Sequence, residues 1–248
     1  MLNGSHALVT GGGTGIGLAI ARALADQGAQ VTITGRRLDV LEAAGDDLHP
    51  LRMDVADEAS VVAGFAAAVA ARGPVQICVA NAGIAEGRAL HKTDLAFWRQ
   101  MMGINLDGAF LTIREALASM READWGRVIA VSSIAGLKGL KGAPAYTASK
   151  HGMLGLIRGL AADYLGKPIT FNALCPAYVD TNIVPYNIER IRARTGMDHD
   201  AAMQVMVGAN PHGRLILPEE VAQAALWLCG PHSGSVNGQA IEIAGGEI

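Results

Sequence analysis

The chain has 248 residues and a formal net charge of -3 at pH 7, so it lacks the positive field that indicates nucleic-acid binding. Half of its residues are hydrophobic and 17% are charged. That is enough apolar material for one large α/β domain over residues 1–248, yet no run reaches the roughly 20 apolar residues of a membrane span. The N-terminus does not resemble a signal peptide, and Cys78, Cys175 and Cys229 lack metal-ligand spacing. These features predict a cytoplasmic protein with reduced thiols and no metal.

Short β-like runs alternate with helix-like segments along the chain. The runs are residues 7–11, 30–35, 51–55, 75–83, 126–133, 169–176 and 239–246. Strands that alternate with helices form parallel sheets covered on both faces. The pattern therefore predicts an α/β fold, doubly wound, with a seven-stranded parallel sheet. Residues 181–214 interrupt the alternation with helix formers and no strand, and excursions of this length are often lids or binding loops.

The first strand-like run leads into the glycine-rich turn "GGGTGIG", which opens the first helix-like segment. Gly11, Gly15 and Gly17 form a G-x-x-x-G-x-G pattern. Glycine allows a tight turn without a Cβ to block a pyrophosphate, and the N–H groups of the following helix point at the anion. In this strand–turn–helix setting the pattern predicts dinucleotide binding. The alternative is a glycine-rich turn without a ligand.

The end of the second strand-like run bears on the choice of cofactor. Folds that prefer NAD commonly carry Asp or Glu about 20 residues after the glycines, to hold the ribose 2′-hydroxyl. This chain has Gly35, Arg36 and Arg37 instead. Because a guanidinium suits a 2′-phosphate, we expect NADP(H) to be favoured. NAD(H) stays possible if both arginines are solvated surface charges.

Tyr146 and Lys150 lie one helical turn apart directly after Pro144. Such a pair is common on ordinary helix surfaces, so its meaning depends on the rest of the chain. The rest of the chain supplies, in order, "TGGGTGIG", Asp54, "ANAG" at 80–83, Asn105, Ser133, "YTASK" at 146–150 and "CPAYVDT" at 175–181. With this ordered set, the chain resembles the short-chain dehydrogenase/reductase family over its entire length. The resemblance implies a Rossmann fold and an NAD(P)(H)-dependent oxidoreductase.

The resemblance also implies a role for each catalytic residue. Tyr146 would be the general acid in carbonyl reduction and the base in alcohol oxidation. Lys150 and the positive nicotinamide would lower the pKa of the phenol from about 10, and Lys150 would hold the nicotinamide ribose. Ser133 would donate a hydrogen bond to the substrate oxygen. Asn105 would hold a water that links Lys150 to solvent.

The residues implied to bind the cofactor are spread over five segments. They are Gly11, Thr14, Gly15, Ile16 and Gly17 in the turn around the pyrophosphate, Arg36 near the adenosine ribose, Asp54 and Val55 beside adenine, Asn81, Ala82 and Gly83 on the adenosine side, Tyr146 and Lys150, Pro176 and Val179 in the nicotinamide pocket, and Thr181 at the carboxamide or a phosphate.

The chain departs from the family pattern at two positions. Ala177 follows Pro176 where the family usually has glycine, and its methyl group narrows the space near the nicotinamide. Ala80 stands where asparagine is common. No metal-ligand cluster is present in the sequence, so hydride transfer is expected to proceed without a metal.

The substrate is less defined than the reaction. The segment 181–214 and the C-terminal tail resemble ketoreductases and hydroxyacyl dehydrogenases, which indicates a 3-oxoacyl or 3-hydroxyacyl thioester. Lys138 and Lys141 would then meet a phosphate-bearing carrier, or else be solvated loop lysines. Small ketones, sugars and polycyclic alcohols remain alternatives. So does a non-catalytic dinucleotide-binding protein, although such a protein usually loses one of the four catalytic residues.

Two predictions concern mobility and assembly. Segment 181–214 is expected to be a mobile substrate lid, or alternatively a helical pair buried between subunits. Its apolar residues (Ile183, Val184, Ile188, Met203, Val205, Met206) could contact an acyl chain, and Arg190, Arg192 and Arg194 could face solvent or a phosphorylated carrier. The resemblance also implies a homodimer or homotetramer that pairs helices 94–120 and 145–165. The second helix carries an apolar stripe at helical spacing: Met153, Leu156, Ile157, Leu160 and Tyr164. The alternative to a subunit contact is that this stripe packs in the core.

Overall fold

The computed structural model describes residues 1–121 and 123–247, which form a seven-stranded sheet in the order β3-β2-β1-β4-β5-β6-β7. The strands are β1 (His6–Thr10), β2 (Gln30–Gly35), β3 (Leu48–Arg52), β4 (Val75–Ala80), β5 (Gly126–Val131), β6 (Ile169–Pro176) and β7 (Ala240–Ile243). All six neighbouring pairs are parallel. The central strands β1 and β5 are buried along their whole length, as expected for a sheet covered on both faces.

Helices cover both faces of this sheet. The α-helices of the described residues are α1 (Gly15–Asp26), α2 (Leu38–Glu42), α3 (Glu58–Arg72), α4 (Leu95–Met102), α5 (Gly108–Met120), α6 (Pro144–Asp163), α7 (Val184–Thr195), α8 (His199–Val207) and α9 (Pro218–Cys229). One apolar core joins the sheet to α3, α5 and α6, and a second core joins its other face to α1 and α9. The predicted α/β, doubly wound Rossmann fold is confirmed.

The third strand differs from its predicted position. The sequence indicated residues 51–55, whereas β3 covers Leu48–Arg52. Pro50 is tolerated because β3 is an edge strand, where a missing N–H leaves no ladder bond unmade. The chain then leaves the sheet, so that Asp54 and Val55 lie at the carboxyl edge of the strands and line a cavity.

The helical region 94–120 is divided where the sequence predicted one continuous helix. Asp94 caps α4 by accepting a hydrogen bond from the Phe97 N–H, at 2.7 Å. A π-helical turn, Gly103–Asp107, then separates α4 from α5. Such turns are rare and occur often at functional sites. Here the turn contains Asn105, whose side chain is fully buried.

Residues 181–214 form α7 and α8, which pack mainly against each other. Val184, Ile188, Ala202 and Met206 make a small apolar cluster separate from the two main cores. Of the lid residues expected to contact an acyl chain, Val184, Ile188 and Met206 are therefore buried inside the lid. Ile183 and Val205 are exposed. The side chain of Arg194 lies outside the described part of the structure.

A buried asparagine joins the two ends of segment 181–214. The Asn210 side chain accepts a hydrogen bond from the Tyr178 N–H, at 3.2 Å, and donates to the carbonyl oxygens of Tyr178 and Arg214, at 2.9 and 2.7 Å. Tyr178 precedes α7 and Arg214 follows α8. One residue therefore ties together both ends of the excursion.

The three cysteines are free and buried. Burial raises the pKa of Cys78 and Cys229 to about 12 and that of Cys175 to about 11. The stripe on α6 contributes to a main core through Met153 and Ile157, while Leu156, Leu160 and Tyr164 pack against its edge. Core packing thus accounts for Met153 and Ile157, whereas the other three residues of the stripe are only partly buried. Within the described residues, no helix is long and apolar enough to cross a membrane.

Candidate active site

The glycine turn has the backbone geometry that the sequence pattern predicted. Gly11 and Gly15 have φ values of +64° and +54°, a region that favours glycine. A Cβ on Gly17 would overlap the Asn81 amide and the Gly11 carbonyl oxygen. Asn81 in turn donates to the carbonyl oxygens of Thr10 and Gly11, at 2.9 and 3.3 Å. Asn81 therefore holds the turn in shape at the ends of β1 and β4.

A cavity of about 260 Å³ lies beside this turn, at the carboxyl ends of β1, β2 and β4. Its lining includes Gly11, Thr14, Thr34, Arg36, Arg37, Asp54, Val55, Ala82 and Gly83. The Thr34 hydroxyl is buried without a hydrogen-bond partner. Buried polar groups normally have partners. This cavity fits the adenosine end of a dinucleotide, because it is open and is lined by glycines, two arginines and an unpaired hydroxyl.

A larger groove of about 670 Å³ continues from the turn between α1 and α9. Thr14, Gly15 and Thr181 lie along it. A Cβ on Gly15 would come within 3.2 Å of the Thr181 side chain, so the turn and the start of the lid are in close contact. An anion at the N-terminus of α1 would therefore meet groups from both sides.

The other predicted cofactor residues have different surroundings. Ile16 packs against the core beneath α1. Pro176 ends β6, and Val179 pairs with Ile216 next to it. The Ala177 N–H donates to the Ile243 carbonyl oxygen at 3.1 Å, so the alanine that replaces the usual glycine is accommodated in an extended connection between β6 and the lid.

Tyr146 and Ser133 meet at the carboxyl end of β5. Pro144 is at the start of α6, where its missing N–H costs nothing, and Tyr146 lies in the first turn. The Ser133 side chain lies close enough to the Tyr146 hydroxyl to lower the pKa of the phenol. Ser133 is buried, and its oxygen also accepts from the Ala135 N–H at 3.1 Å. The two hydroxyls can therefore bind one substrate oxygen together.

Lys150 lies one turn beyond Tyr146 and is 4% exposed. Its ammonium donates to the Val131 carbonyl oxygen at 2.9 Å and lies 5.8 Å from the centre of the Tyr146 ring. Burial lowers the pKa of Lys150 from 10.5 to about 8.

The predicted lowering of the phenol pKa is not what the chain itself produces. Burial raises the pKa of Tyr146, and the nearby Ser133 side chain offsets only part of that effect. The ammonium of Lys150 is directed at a backbone carbonyl rather than at the phenol, which explains its weak influence. At neutral pH the phenol thus holds its proton, as a general acid for carbonyl reduction must.

Asn105 is joined to the same site by its amide group. Its oxygen accepts from the Ile84 N–H at 2.8 Å. Its nitrogen donates to the Ile84 carbonyl at 3.0 Å, the Ser149 hydroxyl at 3.1 Å and the Met101 sulfur at 3.2 Å. These three acceptors share both amide hydrogens, so the side chain has no hydrogen left to donate to the water predicted between Asn105 and Lys150.

The two loop lysines after Ser133 differ in their surroundings. Lys138 makes an ion pair of 2.6 Å with Glu247, which neutralises its charge and ties the loop to the C-terminal tail. Lys141 is exposed. Of the two lysines expected near a phosphate-bearing carrier, only Lys141 has no acidic partner in the described part of the chain.

Comparison with known proteins decides the family. The short chain dehydrogenase family model matches residues 5–191. The chain is a short-chain dehydrogenase/reductase. The cis-4-hydroxycyclohexanecarboxylate dehydrogenase of Sinomonas cyclohexanicum is 39% identical to it, over 97% of this chain and 95% of that one. The acetoacetyl-CoA reductase of Rhizobium meliloti is 36% identical, over 97% of each chain.

Solved structures of the family agree with the fold. A variant of actinorhodin polyketide ketoreductase, solved with NADPH, has a TM-score of 0.94 and 32% identity, and the alignment covers 100% of this chain and 99% of that one. Levodione reductase has a TM-score of 0.92 and 29% identity, over 100% and 98%. This dehydrogenase is thus an NAD(P)-dependent oxidoreductase by family.

Three contributors to the site were not identified from the sequence. Thr34 lines the cavity of about 260 Å³. Ile84 binds Asn105 through its backbone, and Ser149 accepts from Asn105 while donating to the Tyr146 carbonyl at 2.7 Å. Only Ser149 could have been identified from the sequence, because it lies three residues after Tyr146 on the same helix face.

Proposed function

We propose that this enzyme interconverts a ketone and a secondary alcohol, with Asn105, Ser133, Tyr146 and Lys150 as its catalytic set. The observation that carries the proposal is that the buried Ser133 side chain lies close to the Tyr146 hydroxyl, one helical turn from the buried ammonium of Lys150. When bound, the nicotinamide supplies or accepts the hydride. The protein binds the oxygen and moves its proton.

In the reductive direction, the substrate oxygen accepts hydrogen bonds from Ser133 and Tyr146. Charge that develops on this oxygen is stabilised by the two preorganised donors in a site with little water. Tyr146 then donates its proton, and its raised pKa means that the proton is present at pH 7. Lys150, positively charged below about pH 8, stabilises the resulting phenolate.

NADP(H) is the proposed cofactor, with NAD(H) as the weaker alternative. Arg36 and Arg37 are exposed beside the cavity proposed for the adenosine ribose. The preceding residue is Gly35, so this position lacks the carboxylate that would bind a 2′-hydroxyl. The NADPH in the related ketoreductase structure supports the same choice. The cofactor residues assigned from the sequence form the rest of this site in the proposal.

Two substrate classes fit the site. A 3-oxoacyl thioester is supported by the acetoacetyl-CoA reductase and 3-oxoacyl-[acyl-carrier-protein] reductase among the relatives. A smaller keto or hydroxy acid is supported by the relatives that act on cis-4-hydroxycyclohexanecarboxylate and β-hydroxybutyrate. The neutralised charge of Lys138 favours the second class, because a carrier phosphate then meets one loop lysine fewer.

A direct test measures reduction of both classes with NADPH and with NADH. The panel contains acetoacetyl-CoA, acetoacetate, 4-oxocyclohexanecarboxylate and a neutral cyclic ketone. Tyr146→Phe keeps the ring packing but removes the proton, so kcat should fall about 100-fold or more while the fold is retained. A variant within threefold of the wild-type rate would show that Tyr146 is not the acid.

We also propose a single domain over residues 1–248, with the lid at 181–214, that assembles as a homodimer or homotetramer. The exposed side chain of Phe110 on α5 supports assembly, since large apolar side chains are usually covered. Light scattering at micromolar concentration tests it. A monomer would refute the assembly, and Phe110→Arg should weaken it if α5 lies in the interface.

A further inference from the structure

Three charged side chains meet where the lid contacts the loop after β4. Arg88 and Arg190 both approach one oxygen of Glu86, at 3.3 and 3.2 Å. Arg190 also donates to the Gly87 carbonyl oxygen, at 3.1 Å. We call Glu86, Arg88 and Arg190 the rim cluster. Two guanidiniums share one carboxylate, so the cluster carries one positive charge in excess.

The rim cluster is connected to the reacting centre by direct packing. The Arg88 guanidinium lies over the Phe97 ring, 3.9 Å from its centre. Phe97 belongs to a small apolar cluster with Ala145, against which Tyr146 and Ile84 pack. Ile84 is fixed by Asn105. Arg88 therefore stacks on a ring of the same small apolar cluster against which Tyr146 packs.

The arginines are only partly hydrated and retain unused donors. The side chains of Arg88 and Arg190 are 34% and 36% exposed. The single hydrogen bond of Arg88 comes from one of its nitrogens, while stacking on Phe97 holds the guanidinium plane in place. A planar, preoriented guanidinium with a free edge suits bidentate binding of a carboxylate.

We propose that Arg88, assisted by Arg190, binds a carboxylate at the far end of the substrate, several bonds from the carbonyl held by Tyr146. This inference rests on the proposed function and selects the keto-acid class within it. The thioester class places its phosphates at the end of a long pantetheine arm, which does not suit a cation that stacks on the apolar cluster packed against Tyr146.

Glu86 then has a defined and opposite role. It occupies one side of both guanidiniums, so it competes with the substrate carboxylate for the same donors. Removing its charge should improve binding of an acid, whereas removing either arginine should weaken it. An ion pair that only held the lid to the loop would instead make all three variants behave alike.

The test compares 4-oxocyclohexanecarboxylate with its methyl ester, with NADPH as the reductant. Arg88→Gln should raise KM for the acid roughly tenfold or more, the value of a charge-assisted hydrogen bond, and change kcat and the ester's KM less than twofold. Arg190→Gln should act in the same direction with a smaller effect. Glu86→Gln should lower KM for the acid. Arg192→Gln, which breaks a pair with Glu189 on the same helix, is the control and should change neither.

Equal effects of the arginine variants on acid and ester would overturn the subsite and leave a contact that only holds the lid. A tenfold effect on acetoacetyl-CoA without one on the acid would mean that the arginines bind a phosphate. If the wild type reduces no ketone, the proposed function fails separately. Calorimetric titration of cyclohexanecarboxylate with NADP⁺ present then still tests the subsite, which is wrong if wild type and Arg88→Gln bind equally or neither binds.

Discussion

The buried ammonium of Lys150 sets a pH limit on reduction that can be calculated. Its pKa is lowered from 10.5 to about 8 by burial, a free-energy cost of about 3 kcal/mol for the charged form. About nine tenths of the side chain is charged at pH 7 and about one tenth at pH 9. If the charge is needed to hold the ribose and stabilise the phenolate, kcat/KM should fall about tenfold per pH unit well above pH 8.

The assay follows NADPH oxidation at saturating ketone from pH 5.5 to 10, at constant ionic strength. The kcat/KM for NADPH is the informative quantity, because it reports pKa values of the free enzyme. Lys150→Arg keeps a positive charge throughout this range. It should therefore be slower, since a guanidinium does not fit the buried space, but it should show no decline near pH 8.

Two results would refute this reasoning. A wild-type profile that stays flat to pH 10 would show that the charge on Lys150 is not required. The same decline in Lys150→Arg would assign it to another group. Lys150→Met provides the matched uncharged side chain, and its profile should be low and flat.

Four further outcomes are expected. Arg36→Asp should lower the NADPH/NADH ratio of kcat/KM by about tenfold or more, because a carboxylate repels a 2′-phosphate and accepts from a 2′-hydroxyl; an unchanged ratio would make Arg36 a surface charge. Gly17→Ala should abolish cofactor binding by fluorescence titration, since its Cβ would displace Asn81; retained affinity would contradict this. Burial lowers the pKa of His6 in the folded protein. The contribution of His6 to stability is therefore complete above about pH 6.5 and is lost as the pH falls through its lower pKa in the folded state. Urea titrations should show that the free energy of unfolding falls less at acid pH in His6→Gln than in wild type. Hydrogen exchange over residues 183–210 should slow with NADP⁺ and a substrate analogue, and equal exchange would exclude a moving lid.

The fold could be predicted because its signals are local and repeated. The alternation of apolar runs with helix-like segments predicted a parallel sheet with helices on both faces. The glycine turn marked the junction of β1 and α1. The third strand was placed too late because residues 51–55 are as apolar as a strand, although Met53, Asp54 and Val55 belong to the connection that forms a cavity wall. Apolarity alone does not separate a strand from a buried connection.

The site was less predictable where it depends on long-range contacts. The spacing of Ser133, Tyr146 and Lys150 indicated a site, but not that burial would raise the pKa of Tyr146. That result follows from packing against segments distant in the sequence. The π-helical turn at Asn105 and the sharing of Glu86 by two arginines also depend on partners distant in the sequence: Ile84 is 21 residues from Asn105, and Arg190 is 104 residues from Glu86.

The separate apolar cluster between α7 and α8 has a consequence for redesign. Val184, Ile188, Ala202 and Met206 are buried against one another rather than against the sheet. The segment is therefore attached to the rest of the chain mainly at its ends and through Arg190, which contacts Glu86 and Gly87. Asn210 joins the two ends by bonding to Tyr178 and to the Arg214 carbonyl. The corresponding segments of other family members should therefore be exchangeable between residues 181 and 207 with little loss of global stability, provided that Tyr178, Arg190 and Asn210 are kept. New substrate preferences can then be grafted without repacking either face of the sheet.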